Sequence, residues 1–164
     1  FGGGDFNDTM SKVLKILEKI KSLKQVNWTL LIGLANPNLK KIKNLKEKSE
    51  LKLTIIKHTD KIPQLLAEND FTIGAAGGMT WERCCVGIPS LSIAIAENQI
   101  FSIEVIKKYD LGETLLMDEI TENNLRRCLI NLEENANDFL KRSQSLVDGL
   151  GVKRLIKILI KNSN

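Results

Sequence analysis

Apolar residues recur at helical spacing in "DTMSKVLKILEKIKSL", where Met10, Val13, Leu14, Leu17 and Ile20 share one face and Asp8 or Thr9 is placed to cap the first turn. The short apolar run "NWTLLIGL" ends at the turn signal "NPN" and predicts a buried strand, with "LKKIKNLKEKS" as the helix behind it. "LKLTIIK" is a further strand, and "TDKIPQLLAEN" a short helix that tolerates Pro63 in its first turn. Then follow the strand "DFTIGAA", the helix "MTWERCCVG" closed by Gly87, and the strand "PSLSIAIA". "QIFSIEVIKKYD" predicts a helix ending near Gly112, and "ETLLM" a last short strand. Thr121 caps a helix whose Leu125, Cys128, Leu129 and Leu132 form one apolar stripe, and two more helices close the chain. Near-continuous apolar strands alternating with helices argue for an α/β class, a Rossmann-like doubly wound parallel sheet covered on both faces.

Composition adds bounds. At 164 residues and 43% hydrophobic content the chain fits one domain, taken as residues 1–164, with enough mass for a real core. Its charge of +4 is spread through mixed-sign helices, apart from the solvated lysine face of "KKIKNLKEK", and gives no nucleic-acid signal. Three cysteines without metal spacing read as reduced thiols of a cytoplasmic protein, Cys84 and Cys85 being expected in the core. No apolar run reaches the roughly 18 residues of a membrane span. The opening "FGGGD" is a glycine turn with almost no strand before it, which leads to the expectation that residue 1 is a cut and an N-terminal partner domain is missing.

Ligands of open parallel sheets collect beyond the carboxyl ends of the strands, and three loops fall there. Gly2, Gly3, Gly4 and Asp5 form either a plain tight turn or a set of amides facing an anion or a partner domain. In "GAAGGMTWE", Gly74, Gly77 and Gly78 permit positive φ and close approach, and a helix starting near Met79 and Thr80 aims unpaired N–H groups and its positive end at whatever sits above. Glu82 in its first turn is either a helix-favouring residue or the acceptor for a vicinal diol such as a ribose. Arg83 reads as a solvent-facing salt-bridge partner, with phosphate pairing the alternative, and Trp81 as packing. In "AENQ", Glu97, Asn98 and Gln99 supply polar groups for a sugar or diphosphate, Asn98 doubling as a helix cap. His58, the single histidine, ends a strand on the same edge and is either a surface loop residue or a catalytic one, the former favoured. No nucleophilic triad is legible.

The order "FGGGDFNDT", "GLANPNLKKI" and "GAAGGMTWERCCVGIPSLSIAIAENQ" resembles the C-terminal half of the nucleotide-sugar hydrolases of pseudaminic acid biosynthesis. Those enzymes are related to spore-coat polysaccharide proteins and, more distantly, to MurG-like N-acetylglucosaminyltransferases. The resemblance covers roughly residues 1–118, and AGG-x-T-W-E followed by G-x-P and A-E-N-Q is its most specific part. It implies a GT-B architecture of two Rossmann-like domains, with UDP held mostly by the C-terminal one. Gly77, Gly78, Met79 and Thr80 would then lie against the diphosphate, Glu82 would hold the ribose hydroxyls, and Asn98 and Gln99 would reach the diphosphate or sugar. Gly3, Gly4 and Asp5 would line the cleft floor, and the loop around His58 would border the uracil. Hydrolysis in such enzymes uses a water activated with help from a histidine of the N-terminal domain, which this chain does not contain. The resemblance thus implies the nucleotide-binding, catalytically inactive half of an enzyme. That enzyme would cleave UDP from a diacetamido-trideoxyhexose-type sugar for surface or flagellar glycans, with its own N-terminal domain as partner and no metal or cofactor required. Two alternatives stand beside it: a glycosyltransferase, and a non-catalytic nucleotide-sugar binding module.

Overall fold

The computed structural model describes Phe1 and residues 4–161; Gly3, expected at the cleft floor, lies outside the described residues. In chain order the elements are α1 (Thr9–Leu17), β1 (Asn27–Ile32), α2 (Leu39–Lys48), β2 (Lys52–Lys57), α3 (Ile62–Ala67), β3 (Thr72–Ala75) and α4 (Met79–Val86), then β4 (Ser90–Ala94), α5 (Ile100–Tyr109), β5 (Glu113–Leu116), α6 (Glu122–Glu134), α7 (Ala136–Leu146) and α8 (Gly151–Lys161). Every strand pairing is parallel: β1 with β2, β3 with β4, and β4 with β5. The alternation of apolar strands and amphipathic helices thus yields the α/β class that the pattern predicts.

The strands fall into two sheets, ordered β1-β2 and β3-β4-β5, rather than one. The stub expected ahead of the glycine turn is not a strand at Phe1. The two sheets nevertheless share one core, in which Leu30, Ile32 and Leu53 join Leu91, Ile93 and Leu115 through α1 and α6. All five residues of β4 are buried, as befits a strand with a neighbour on either side. The α1 stripe is inside as its spacing requires, and so are Leu125, Cys128 and Leu132 of α6.

Local chemistry sets the helix ends. Thr121 Oγ1 accepts the Asn124 amide at 3.3 Å to cap α6, Pro63 sits in the first turn of α3, and Gly87 at φ 85° closes α4. Helix α1 departs from expectation, because neither Asp8 nor Thr9 caps it. Its first amides, those of Thr9 and Met10, instead donate to Asp5 Oδ1 and Oδ2 at 2.9 and 3.0 Å. Cys84 is buried, but Cys85, one position further round α4, is exposed. Helix α8 buries no residue, and its apolar positions, Leu155 among them, face outward.

Leu125 has no exposed surface, whereas Leu155 is 55% exposed. Leu125→Ala should therefore lower stability by about 2–5 kcal/mol in urea unfolding, and Leu155→Ser should change it by about 0.5 kcal/mol or less.

Candidate functional site

The carboxyl ends of three strands converge on one cavity of about 1170 Å³, whose lining includes His58 after β2, Gly77, Gly78 and Met79 after β3, and Gln99 after β4. His58 adopts a left-handed backbone at φ 54° and anchors its own amide on Ile32 O of β1 at 3.1 Å. Its side chain is exposed at the rim.

The glycine loop does not use the left-handed conformations anticipated for it. Gly78 has φ −55°, and the described glycines with positive φ are Gly87, Gly112 and Gly149. Bare backbone serves two other ends here. A Cβ on Gly74 would come within 2.4 Å of Arg83 Nη1, whereas one on Gly78 would meet nothing within 4 Å. Gly74 makes room beneath the loop, and Gly78 keeps open the surface above it.

Helix α4 begins at this loop. The amides of Thr80 and Trp81 fold back onto Gly77 O and Gly78 O, at 3.0 and 3.2 Å. Those of Gly77, Gly78 and Met79 find no acceptor among the described residues. Free amides at the positive end of a helix favour an anion. Gln99 adds a donor: its Oε1 accepts the Ile95 amide at 3.0 Å, which leaves Nε2 facing away, 3.7 Å from where a Gly77 Cβ would stand.

Arg83 was expected at the surface and lies inside, 2% exposed. Its guanidinium covers the Gly74–Ser92 pair that β3 and β4 place side by side. Nη2 donates to Ala75 O at 2.9 Å, Thr80 Oγ1 at 3.0 Å and Ser92 Oγ at 3.1 Å, all neutral acceptors. Nε has no partner. Burial brings its pKa down to about 10, so at neutral pH it remains a cation. The carboxyl end of β3 therefore carries a fixed positive charge beside unpaired amides. The inward face of α4, Thr80, Arg83 and Cys84 at helical spacing, together with small Gly74 and Ser92 opposite, is the sequence signal for it.

Other expected site residues divide. Gly77, Gly78, Met79, Gln99 and His58 are brought together around the cavity. Thr80 is 2% exposed and turns its hydroxyl inward to Arg83, so it supports the loop instead of facing a ligand. Glu82 and Asn98 are exposed on the rim side of their elements and do not line the cavity. Nor does Asn98 cap α5: Gln99 precedes that helix without a side-chain cap. Asp5, expected at the cleft floor, is 3% exposed and takes α1 amides on both carboxylate oxygens. A Cβ on Gly4 would meet the Phe6 ring at 2.4 Å. This first loop is tied to its neighbours by Asn38 Nδ2 donating to Asp5 O at 2.8 Å and Asn7 Nδ2 donating to Ile95 O at 3.3 Å. Burial pushes the thiols of Cys84 and Cys128 up, the latter to about 12 with help from Glu113, so neither is a thiolate nucleophile at neutral pH.

Parallel strands with intervening helices, and a glycine loop that opens a helix at their carboxyl ends, define a Rossmann-like α/β domain of the kind that makes up half of a GT-B fold. The chain belongs to the family described as "Protein of unknown function (DUF354)", whose model matches residues 4–148. It is 26% identical over 163 residues to the spore coat polysaccharide biosynthesis protein SpsG of Bacillus subtilis strain 168, covering 96% of this chain and 48% of that protein. It is also 28% identical over 110 residues to a UDP-N-acetylglucosamine–N-acetylmuramyl-(pentapeptide) pyrophosphoryl-undecaprenol N-acetylglucosamine transferase of Staphylococcus saprophyticus, covering 63% of this chain and 31% of that protein. The chain thus spans about half or less of the length of these curated relatives. No helix among the described residues is long and apolar enough to cross a membrane.

If Arg83 needs the space left by Gly74, Gly74→Ala should cost about 1–3 kcal/mol by displacing the guanidinium, while Gly78→Ala should change stability by about 0.5 kcal/mol or less in the same unfolding assay.

Proposed function

We propose that this chain is the nucleotide-sugar-binding half of a glycan-biosynthesis enzyme, and that the loop 77–79 holds the diphosphate of a UDP-sugar. The observation that carries the reading is the set of amides of Gly77, Gly78 and Met79 without an acceptor among the described residues, backed by the buried Arg83 and opening on the shared cavity. A diphosphate offers several charged acceptors, which match a cluster of fixed donors without a metal ion. Gln99 Nε2 extends that row toward the sugar, and His58 sits at the rim where the base would lie. In this reading Glu82, exposed in the first turn of α4, accepts from ribose hydroxyls that project beyond the loop. The names of both relatives support a role in glycan assembly.

Within this reading the full-length protein, a cytoplasmic enzyme whose N-terminal domain would complete the cleft, hydrolyses a UDP-sugar for a surface glycan, as the resemblance of the loop order implies. A second reading, transfer of the sugar to an acceptor, is favoured by the transferase name of the Staphylococcus relative. Release of UDP from the UDP-sugar without any acceptor separates the two.

The binding claim is tested by calorimetry of UDP and uridine on the full-length protein. Gly78→Asp places a carboxylate on the open face of the loop, where nothing stands within 4 Å, so folding should survive. It should weaken UDP at least about tenfold, some 1.4 kcal/mol, and leave uridine binding unchanged. Glu82→Ala should weaken both ligands by about 1–3 kcal/mol. Equal UDP affinity in wild type and Gly78→Asp, or no binding of millimolar UDP to the wild type, contradicts the reading.

A further inference from the structure

Helix α8 buries none of its residues, yet its sequence is sharply two-faced. At about 100° per residue, Val152, Leu155, Ile156, Ile158 and Ile160 fill an arc of about 200°. Lys153, Arg154, Lys157 and Lys161 occupy the remaining sector, and the helix contains no acid. The five apolar residues are 49–70% exposed. A stripe that faces a protein core need be only about half as wide as this arc.

The start of the helix is nevertheless held in place. Gly149 turns the chain at φ 71°, and Asp148 accepts the Leu150 amide at 3.0 Å. The same carboxylate grips Arg154 Nη1 and Nη2 at 2.6 and 3.0 Å, so one of the four cations is already neutralised. Lys153, Lys157 and Lys161 stand four residues apart on one line and form no ion pair among the described residues. Like charges at that spacing weaken a helix, a cost that an anionic partner reverses.

Charge and shape together select the partner. A second copy meeting this one through the arc would set Lys153 and Arg154, which border the arc on its two sides, against the same cations. An acidic lipid surface offers acyl chains to the arc and phosphates to its margins, and it moulds itself around a wide apolar face. Eleven residues are too few to cross a bilayer, which takes about 20, so such a helix lies along the surface.

We propose that α8 is a membrane-surface helix that seats its apolar arc in an anionic phospholipid bilayer, with Lys153, Lys157 and Lys161 on the lipid phosphates. The Asp148–Arg154 fork and the Gly149 turn fix the direction in which the domain is presented to that surface. This inference is independent of what the cavity at the strand ends binds.

The test is flotation of the full-length protein with vesicles of phosphatidylglycerol and phosphatidylcholine, compared with vesicles of phosphatidylcholine alone. Affinity for the acidic vesicles should be at least about tenfold higher, and the advantage should shrink as salt is raised. Leu155→Ser and Lys157→Glu should each weaken binding at least about tenfold, with urea unfolding unchanged in both. Failure to float with acidic vesicles, or equal binding by either variant and the wild type, overturns the proposal. So does a marked loss of stability in full-length Leu155→Ser, the sign that the arc packs on the rest of the protein. A mass that doubles with concentration and returns to that of one chain in Leu155→Ser also overturns it, because a second copy then covers the arc.

Discussion

A buried guanidinium that forms no salt bridge among the described residues organises the carboxyl edge of this fold. Taking Arg83 out of water is expensive, and three neutral oxygens return only part of what hydration gave. Its pKa, brought down to about 10, records that cost. In return one side chain joins the end of β3, the side of β4 and the first turn of α4. The start of α4 is held against the sheet in that way, and its leading amides are left facing the cavity.

The surrounding loops are fixed by the same device, a side chain bonded to backbone across a large sequence separation. Asn38 reaches Asp5 O, Asn7 reaches Ile95 O, and Gln99 takes the Ile95 amide. Asp5 in turn spends its charge on the amides of α1. Donors that are positioned before a ligand arrives need little reorganisation to bind it, which is the advantage of building an anion site from amides and one pinned arginine. Charge at this edge is accordingly positive where the loop opens, and the carboxylates are either internal, as Asp5 is, or exposed at the rim, as Glu82 is.

Most elements were legible because apolar periodicity reports burial, and burial decided the strands and the stripes of α1 and α6. The glycine loop, Gln99 and His58 were legible as a shared edge, since parallel topology sends every strand end to the same side. What the chain hid has physical reasons. Arg83 reads as a surface residue on charge alone, and its burial follows from the small residues Gly74 and Ser92, which meet across a ladder only after β3 and β4 pair. Asp5 caps α1 from four residues upstream of Thr9, through a loop with left-handed turns at Asp5 and Asp8 that no simple cap pattern encodes. The division into two sheets depends on which edges find a partner, a non-local fact. Cys85 lies one step round the helix from Cys84, and a hundred degrees of rotation separates core from solvent.

The unpaired amides at 77–79 are the proposed seat of the diphosphate. Amide chemical shifts of the full-length protein, followed while UDP is added, address it residue by residue. Saturable shifts largest at Gly77, Gly78 and Met79, absent when uridine replaces UDP, are the predicted result. Shifts that leave those three amides in place while UDP saturates elsewhere would contradict it.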